Sequence, residues 1–200
     1  GLDVGGTFTD AVIIDGHRVV ATAKRRTTKD NLMNGIGEAL DAVLEGYDTS
    51  NIEQVTLSTT VVTNTIVEEK EQVVDLYVVT GPGRNVDDIF PVKPIYLQGY
   101  TDHRGIVVER TPADAVRGIA NMVQTRSGTD LAAVSAKFGV RNPQEELSIT
   151  EELKNIYHAI SNGSLLSGSL NFPRRTISAY FNSAVTPVFT VFKKNVEDAL

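Results

Sequence analysis

Hydrophobic positions along the chain fall into strand-like runs and helix-like spacings that follow one another in turn. Residues 8–14 and 18–24 are rich in strand-forming residues, and Asp15-Gly16 between them is a strong signal for a hairpin turn. Residues 30–45 then follow a helical spacing, with Gly46 as a stop. A hairpin followed by a helix and further strands predicts an α/β domain.

The same alternation continues through the middle of the chain. The pattern predicts helices at 60–69 and 112–124, the second capped by Thr111, and a further helix that opens at Asn142-Pro143. It also predicts strands at 54–57, 73–79 and 131–136, a short strand at 165–170, and a second hairpin built from 95–100 and 105–109.

The last segment, residues 174–200, has apolar residues at steps of three and four, which predicts a long amphipathic helix kinked at Pro187. We expect its apolar stripe to be exposed in this chain and to favour a homo-oligomer. We place the domain boundary before this helix, with one domain at 1–172 and a connecting helix at 173–200. Because the chain begins without methionine, at an apparent strand end, we expect a fragment of a larger protein.

Composition narrows the function classes. The chain has 200 residues, 41% of them hydrophobic and 22% charged, as in globular proteins. It has no cysteine, which excludes a disulfide scaffold, a thiolate metal site and a cysteine nucleophile. A net charge of −6 argues against nucleic acid as a partner. No apolar run approaches the roughly 18 residues of a membrane span, and no secretory signal is present, so we expect a cytoplasmic protein.

The segment Asp-Val-Gly-Gly-Thr-Phe-Thr-Asp at 3–10 carries the most distinctive chemistry. The Gly5-Gly6 pair permits positive φ and a close approach of backbone N–H groups to a ligand, and such groups aimed into one concavity bind anions. Thr7 and Thr9 add hydroxyl donors, and Asp3 offers an oxygen ligand for hydrated magnesium. These parts fit the phosphate tail of a nucleotide. The alternative interpretation is a plain tight turn between strand-forming threonines.

Residues 1–10 resemble the opening of the hydantoinase A/5-oxoprolinase family, within the actin, sugar-kinase and heat-shock ATPase superfamily. Residues 58–66, 138–146 and 174–182 resemble later segments of that family in the right order. Ser58 and Gln144 replace a glycine and a histidine that are common there, which indicates an outlying branch.

The resemblance implies a ribonuclease-H-like lobe of the actin-like ATPase fold, a mixed sheet with flanking helices, extended by the long C-terminal helix. It also implies ATP and magnesium as cofactors, and a cyclic amide substrate whose ring carbonyl is activated by phosphorylation. The rest of the polypeptide or a partner subunit would complete the site. The site residues fall into three groups: catalytic Asp3 and Asp10, with Asp3 also at the metal; phosphate-binding Gly5, Gly6, Thr7 and Thr9; and substrate-binding Thr60, Asn64 and Arg141.

Several alternatives stay open from the residues alone. The polar residues at the start of the predicted helix suit a ligand-facing cluster (Thr59, Thr60, Thr63 and Asn64) and a capping run with Ser58 or Thr59 as the N-cap equally well. Asn142 before Pro143 is a common helix cap. Asp102-His103-Arg104 offers acid–base groups but also suits a surface hairpin tip. At the level of function, the rivals are a small-molecule kinase of the sugar-kinase type and a non-catalytic regulatory or assembly subunit that retains the ATPase fold.

Overall fold

A computed structural model describes residues 1–28, 32–83 and 87–199 of the protein. Their contacts group into two compact units. The first unit contains Gly1–Lys70 together with the segment that starts at Pro187, and the second contains Glu71–Thr186. The predicted division into 1–172 and 173–200 concerns the place of this chain within a larger enzyme and stays a prediction.

The first unit contains a four-stranded mixed sheet and two helices, all formed by residues within Gly1–Lys70. The elements are β1 (Leu2–Val4), β2 (Phe8–Asp15), β3 (Arg18–Arg26), α1 (Leu32–Leu44), β4 (Leu57–Thr59) and α2 (Val61–Val67), with a 3-10 turn at Thr49–Asn51. The strand order is β3-β2-β1-β4. β1 pairs antiparallel with β2 and parallel with β4. This confirms the predicted hairpin and helix; residues 30 and 31 of the predicted helix lie outside the described residues.

One face of this sheet carries the core of the first unit. Leu2, Val4 and Ala11 are buried, and alternation along a strand directs every second side chain to the same side. They pack with residues of α1 and of the last helix: Ile36, Ala39, Val43, Phe192 and Val196. The intervening side chains, among them Asp3, therefore lie on the opposite face, where Asp3 is exposed.

The second unit is built on a parallel sheet. Its elements are β5 (Asp75–Val79), a 3-10 turn (Asp87–Ile89), β6 (Ile95–Tyr96), β7 (Tyr100–Thr101), β8 (Val107–Glu109), α3 (Ala113–Ser127), β9 (Leu131–Ala136), α4 (Gln144–Leu153), β10 (Ala159–Asn162) and α5 (Gly163–Leu166). The sheet has the order β10-β9-β5-β6, and β7 and β8 form a separate hairpin. Every residue of β5 and β9 is buried, because apolar clusters cover both faces of the sheet.

The last helix, α6, spans Phe172–Ala199 and contains Pro187, which confirms the predicted long C-terminal helix. Its early residues Phe172, Ala179 and Tyr180 belong to a core cluster of the second unit. Its late residues Phe192 and Val196 belong to the core of the first unit. Both parts of the helix thus bury an apolar face within this chain, so the expected exposure of its apolar stripe is wrong: the stripe packs against the cores of the two units. Leu200 lies outside the described residues.

Three predicted elements differ from the structure. The strand predicted at 165–170 is wrong, because 163–166 is a short helix and the strand is β10, which gains its place by pairing with β9. The run 95–100 divides at Gly99 (φ 136°) into β6, which joins the parallel sheet, and β7, which pairs with β8. Thr111 does not cap α3, since its hydroxyl donates to the Gln98 carbonyl.

Among the residues that the structure describes, no helix combines the length and the apolar character needed to span a bilayer.

Candidate functional site

The turn between β1 and β2 consists of Gly5, Gly6 and Thr7. The Gly5 N–H donates to the Phe8 carbonyl at 3.0 Å and closes the turn. Gly6 and Thr7 are exposed. Within the described part of the chain, neither the Gly6 nor the Thr7 N–H donates to a protein acceptor. Two successive donors are therefore available at the surface, as an anion site requires.

The two glycines are needed for space rather than for an unusual backbone conformation. Neither Gly5 nor Gly6 has positive φ, so that part of the sequence interpretation is wrong. A Cβ at Gly6 would stand 3.1 Å from the Asn64 amide nitrogen, and a Cβ at Gly5 would stand 3.1 Å from the Phe8 carbonyl oxygen. The bare backbone thus lets α2 lie directly against the turn.

Thr27, just after β3, holds the turn in place. Its hydroxyl donates to the Gly5 carbonyl at 2.8 Å, and its N–H donates to the Thr7 carbonyl at 2.9 Å. The same hydroxyl lies 3.0 Å from the hydroxyl of Thr9, which is completely buried. The Thr9 side chain is therefore engaged with Thr27 beneath the turn. Sequence reasoning missed Thr27, because a bulge in the β2–β3 hairpin decides which residue lies opposite the turn.

Two carboxylates lie side by side on the open face of the first sheet. Asp3 on β1 is directly opposite Asp10 on β2, and Asp10 is in turn opposite Lys24 on β3. Lys24 forms an ion pair with Asp10 at 2.8 Å and lies over the Phe8 ring. The Asp10 charge is thus compensated by a neighbour, while the exposed Asp3 has no ion-pair partner among the described residues.

The segment that enters α2 combines capping with contact to the turn. The Thr59 hydroxyl accepts from the Val61 N–H and donates to the Val4 carbonyl, so Thr59 performs the capping that the sequence left open. Thr60 is exposed, and its hydroxyl oxygen accepts from the Asn64 amide at 3.2 Å. Asn64 is thereby held next to Gly6, and the structure brings these two predicted residues together.

No three His, Asp or Glu side chains gather into a metal site of their own within residues 1–28, 32–83 and 87–199. A magnesium ion typically keeps several waters and uses one or two carboxylates plus phosphate oxygens. The exposed Asp3 carboxylate, next to the two N–H groups of the turn that have no protein acceptor, is of the type that this ligand pattern uses.

The hairpin turn at Asp102 in the second unit is held together by the Asp102 side chain. The Asp102 carboxylate accepts from the N–H groups of Arg104 and Ile106, both at 2.9 Å, and pairs with the Arg104 side chain at 3.0 Å. The hydrogen bond from Ile106, followed by those from Arg104, lowers the pKa of the Asp102 carboxyl below its usual value. This arrangement favours the turn interpretation over an acid–base role.

Arg141, predicted to bind substrate, belongs to the second unit. It is exposed, and it forms no ion pair with any described residue. Its Cβ lies against Gly105 in the hairpin turn, where φ is 89° and an added Cβ would stand 3.0 Å away. The structure therefore accounts for the backbone position of Arg141 and leaves its guanidinium at the surface.

Comparison with known protein families identifies the family of this chain. The profile of the hydantoinase/oxoprolinase N-terminal region matches residues 1–157. The chain belongs to this family. No curated protein matches its sequence.

Two solved structures share the fold of this hydantoinase/oxoprolinase chain. Nucleotide-free acetone carboxylase, described with the mechanism of ATP-dependent acetone carboxylation, matches over 98% of the chain at 16% identity with a TM-score of 0.73. The ATP-dependent caprolactamase of Pseudomonas jessenii matches over 98% at 17% identity with a TM-score of 0.66. The chain covers 34% and 33% of those two chains, about one third of each. The predicted α/β ATPase-type lobe is confirmed.

The 138–146 motif of this hydantoinase/oxoprolinase chain forms a clasp around the end of β9. Glu146, which is completely buried, accepts from the Ala136 N–H at 2.7 Å and from the N–H and hydroxyl of Ser164. Asn142 donates to the Gly105 carbonyl and accepts from the Gln144 N–H, so it does cap α4. The polar side chains of Asn142 and Glu146 are thus used within the chain.

A buried polar chain also crosses the core of the second unit. The hydroxyls of Tyr77 and Tyr157 lie 2.6 Å apart, and Tyr157 donates to Asp75 at 2.8 Å. Ser127 donates to the same carboxylate at 2.8 Å. Burial raises the pKa of Tyr77 to about 12, and it raises the pKa of Tyr157 as well.

Proposed function

We propose that this chain holds the phosphates of ATP in an enzyme that hydrolyses a cyclic amide. The observation that carries the proposal is the pair of exposed N–H groups of Gly6 and Thr7, which have no protein acceptor in the described part of the chain. Backbone N–H groups converging on one point bind phosphate oxygens, and a Cβ at Gly6 would crowd the turn. The family and two ATP-dependent enzymes with the same fold support it.

Each residue of the turn has a distinct part in this proposal. Gly6 and Thr7 donate N–H groups to phosphate oxygens, and the exposed Thr7 hydroxyl adds a donor. Gly5 keeps the turn narrow through its bond to Phe8. The buried Thr9 acts indirectly, because its hydroxyl is engaged with Thr27 and supports the turn from below.

Asp3 is the residue that we assign to magnesium. It is exposed and without an ion-pair partner among the described residues, whereas Asp10 forms an exposed ion pair with Lys24. Two carboxylates directly opposite one another repel, so a cation beside Asp3 lowers the electrostatic energy of this pair. The Asp10 carboxylate adds negative electrostatic potential beside Asp3, and the ion pair with Lys24 fixes the position of the Asp10 side chain.

When bound, ATP supplies the phosphoryl group that makes the ring carbonyl reactive toward water. The turn neutralises charge and fixes position, which are the main requirements of phosphoryl transfer. The family resemblance implies that the rest of the polypeptide or a partner subunit completes the ATP site. We therefore propose that the nucleoside is held by further polypeptide, and that this chain alone binds Mg-ATP weakly.

The test compares Asp3→Asn with the control Asp41→Asn, which changes an exposed aspartate of α1. We expect Mg-ATP to shift the amide NMR signals of Gly6 and Thr7 in the wild-type chain. Asp3→Asn lowers the Mg-ATP affinity about tenfold, roughly 1.4 kcal/mol, and does not weaken ATP binding in EDTA, because the removed carboxylate repels metal-free phosphate. Asp41→Asn leaves both unchanged. The melting temperature of Asp3→Asn stays level or rises, because one of two facing like charges is removed.

Two results would contradict the proposal. One is Mg-ATP affinity in Asp3→Asn equal to that of the wild type, which removes the magnesium role. The other is an absence of amide shifts at Gly6 and Thr7 under saturating Mg-ATP, which removes the phosphate cradle itself.

A further inference from the structure

A cavity of about 230 Å³ lies beside the turn, entirely within the first unit. Gly5 and Gly6 border it on one side and α2 on another. Its apolar wall comes from three elements, β1, α2 and the late part of α6, through Val4, Val61, Val188 and Phe192. The space therefore continues directly from the proposed phosphate-binding turn.

Most polar groups in the cavity wall are already hydrogen-bonded. The hydroxyls of Thr27, Thr59 and Thr65 donate to the carbonyls of Gly5, Val4 and Val61, respectively. Asn64 differs, because its amide nitrogen donates to Thr60 while its side-chain oxygen, Oδ1, accepts from no described residue. The cavity thus combines an apolar wall with one available amide acceptor next to the turn.

The size of the cavity limits what it can hold. Pockets for drug-sized ligands occupy about 300–1,000 Å³, so about 230 Å³ is too small for a nucleoside and suits a single small ring. Apolar walls fit ring methylene groups, and an available carbonyl oxygen fits an N–H donor. A ring that places an N–H beside a carbonyl is a cyclic amide.

Charge at the rim selects among such rings. Lys70 lines the cavity, but its ammonium group lies 2.5 Å from the Glu68 carboxylate, which also lines it. Among the described lining residues, no other side chain carries a positive charge. A substrate carboxylate therefore finds no uncompensated cation there, which favours a neutral ring over an acidic one.

We propose that this cavity is the site for the ring of an uncharged cyclic amide, whose N–H donates to Asn64 Oδ1. The proposal rests on the proposed function, since it places the ring next to the turn that holds the phosphates. It defines the substrate class as neutral lactams or hydantoins, with 5-oxoproline disfavoured by its carboxylate.

The experiment measures binding of δ-valerolactam to the chain by ligand-observed NMR without nucleotide. We expect a Kd on the order of 1–10 mM, as small ligands of few atoms allow. Val188→Phe fills the cavity and weakens binding at least tenfold. The matched control Val191→Phe changes an exposed residue of the same helix that does not line the cavity, and it leaves binding unchanged.

Two ligand-side comparisons need no variant. N-Methyl-δ-valerolactam lacks the N–H and binds at least tenfold more weakly, and 5-oxoproline also binds more weakly than the neutral ring. Equal affinity for the N-methylated ring overturns the role of Asn64, and stronger binding of 5-oxoproline overturns the charge selection. Equal binding by Val188→Phe and wild type overturns the site.

Mg-ATP titration of the same samples separates this proposal from the proposed function. If Mg-ATP shifts Gly6 and Thr7 but the lactam does not bind the cavity, the substrate site is wrong and the phosphate cradle stands. If the lactam binds the cavity and Mg-ATP leaves Gly6 and Thr7 unchanged, the cradle is wrong and the cavity stands as an amide-ring site.

Discussion

The turn at residues 5–7 and the clasp at residues 138–146 are both short, polar segments at strand ends, yet they use their polar groups in opposite ways. In the clasp, the Glu146 carboxylate accepts three hydrogen bonds while completely buried. In the turn, the Gly6 and Thr7 N–H groups are exposed, and no described residue accepts from them.

This difference distinguishes polar groups that stabilise the fold from polar groups that remain available to a ligand. A buried polar group must be hydrogen-bonded within the chain, and once it is, it stabilises one conformation and has little capacity for a ligand. A surface donor without a protein acceptor exchanges water for a ligand at small cost. Both segments resemble family motifs. The turn keeps two backbone donors without a protein acceptor, whereas the side chains of Asn142 and Glu146 in the clasp are hydrogen-bonded within the chain and the side chain of Arg141 stays exposed.

The largest expected effect comes from breaking the clasp with Glu146→Ala. The change leaves the donors on Ala136 and Ser164 without an acceptor and removes the negative charge near Arg175, which is 1% exposed. We expect the free energy of unfolding to fall by about 3 kcal/mol, measured by urea denaturation. Glu151→Ala, an exposed position on the same helix, is the control and changes it by less than about 0.5 kcal/mol. A loss below about 1 kcal/mol for Glu146→Ala would show that the clasp is not a structural element.

A second effect tests the buried polar chain of the second unit by pH. The pKa of Tyr77 is about 12 in the folded chain and near 10 when unfolded. The stabilisation that follows is fully present below pH 10 and is lost as the pH rises toward 12, by roughly 1.4 kcal/mol per pH unit. We expect the stability difference between wild type and Tyr77→Phe to shrink over that window, measured by chemical denaturation at each pH. Tyr47→Phe, at an exposed tyrosine, serves as the control. If the stability difference between wild type and Tyr77→Phe stays constant from pH 10 to 12, the raised pKa of Tyr77 is refuted.

A smaller effect concerns the support of the turn. Thr27→Val removes the donor to Gly5 and leaves the completely buried Thr9 hydroxyl without its neighbour. We expect a loss of about 2 kcal/mol in unfolding free energy and faster hydrogen exchange at Gly5, whose N–H closes the turn by donating to the Phe8 carbonyl. Thr27→Ser keeps the hydroxyl and retains the slow exchange of the Gly5 amide, with a loss of unfolding free energy below about 1 kcal/mol. If valine and serine behave alike, Thr27 acts through packing and not through its hydroxyl.

The sequence was sufficient where structure depends on near neighbours. Asp15-Gly16 predicted the β2–β3 hairpin because a tight turn and its flanking strands are local features, and the helical spacing predicted α1 and α6 for the same reason. It failed at β10, since Ala159–Asn162 becomes a strand through pairing with β9, a partner set by the tertiary fold.

For the candidate site, the sequence indicated the residues of the turn but not the residues that support the turn. The residues 3–10 indicated the turn and its carboxylates, whereas the bulge between Ile13 and Ile14 has no clear sequence signal. In a hairpin without this bulge, Lys24 would lie opposite Thr9. The bulge shifts the register of the two strands by one residue, so Lys24 lies opposite Asp10. This one-residue shift gives Asp10 its ion pair and leaves Asp3 as the carboxylate without one.

The hydrogen bond between the Thr9 and Thr27 hydroxyls beneath the turn has a defined donor. Because Thr27 gives its single hydroxyl proton to the Gly5 oxygen, Thr9 must supply the proton between the two threonines. The Gly5 oxygen and the Gly6 N–H belong to one peptide group, so electron density drawn toward that oxygen makes the N–H more acidic. Cooperative strengthening of about 10–30% per bond is the expected scale. Two threonines that lie beneath the turn thereby tune the N–H donor that we propose for the phosphate.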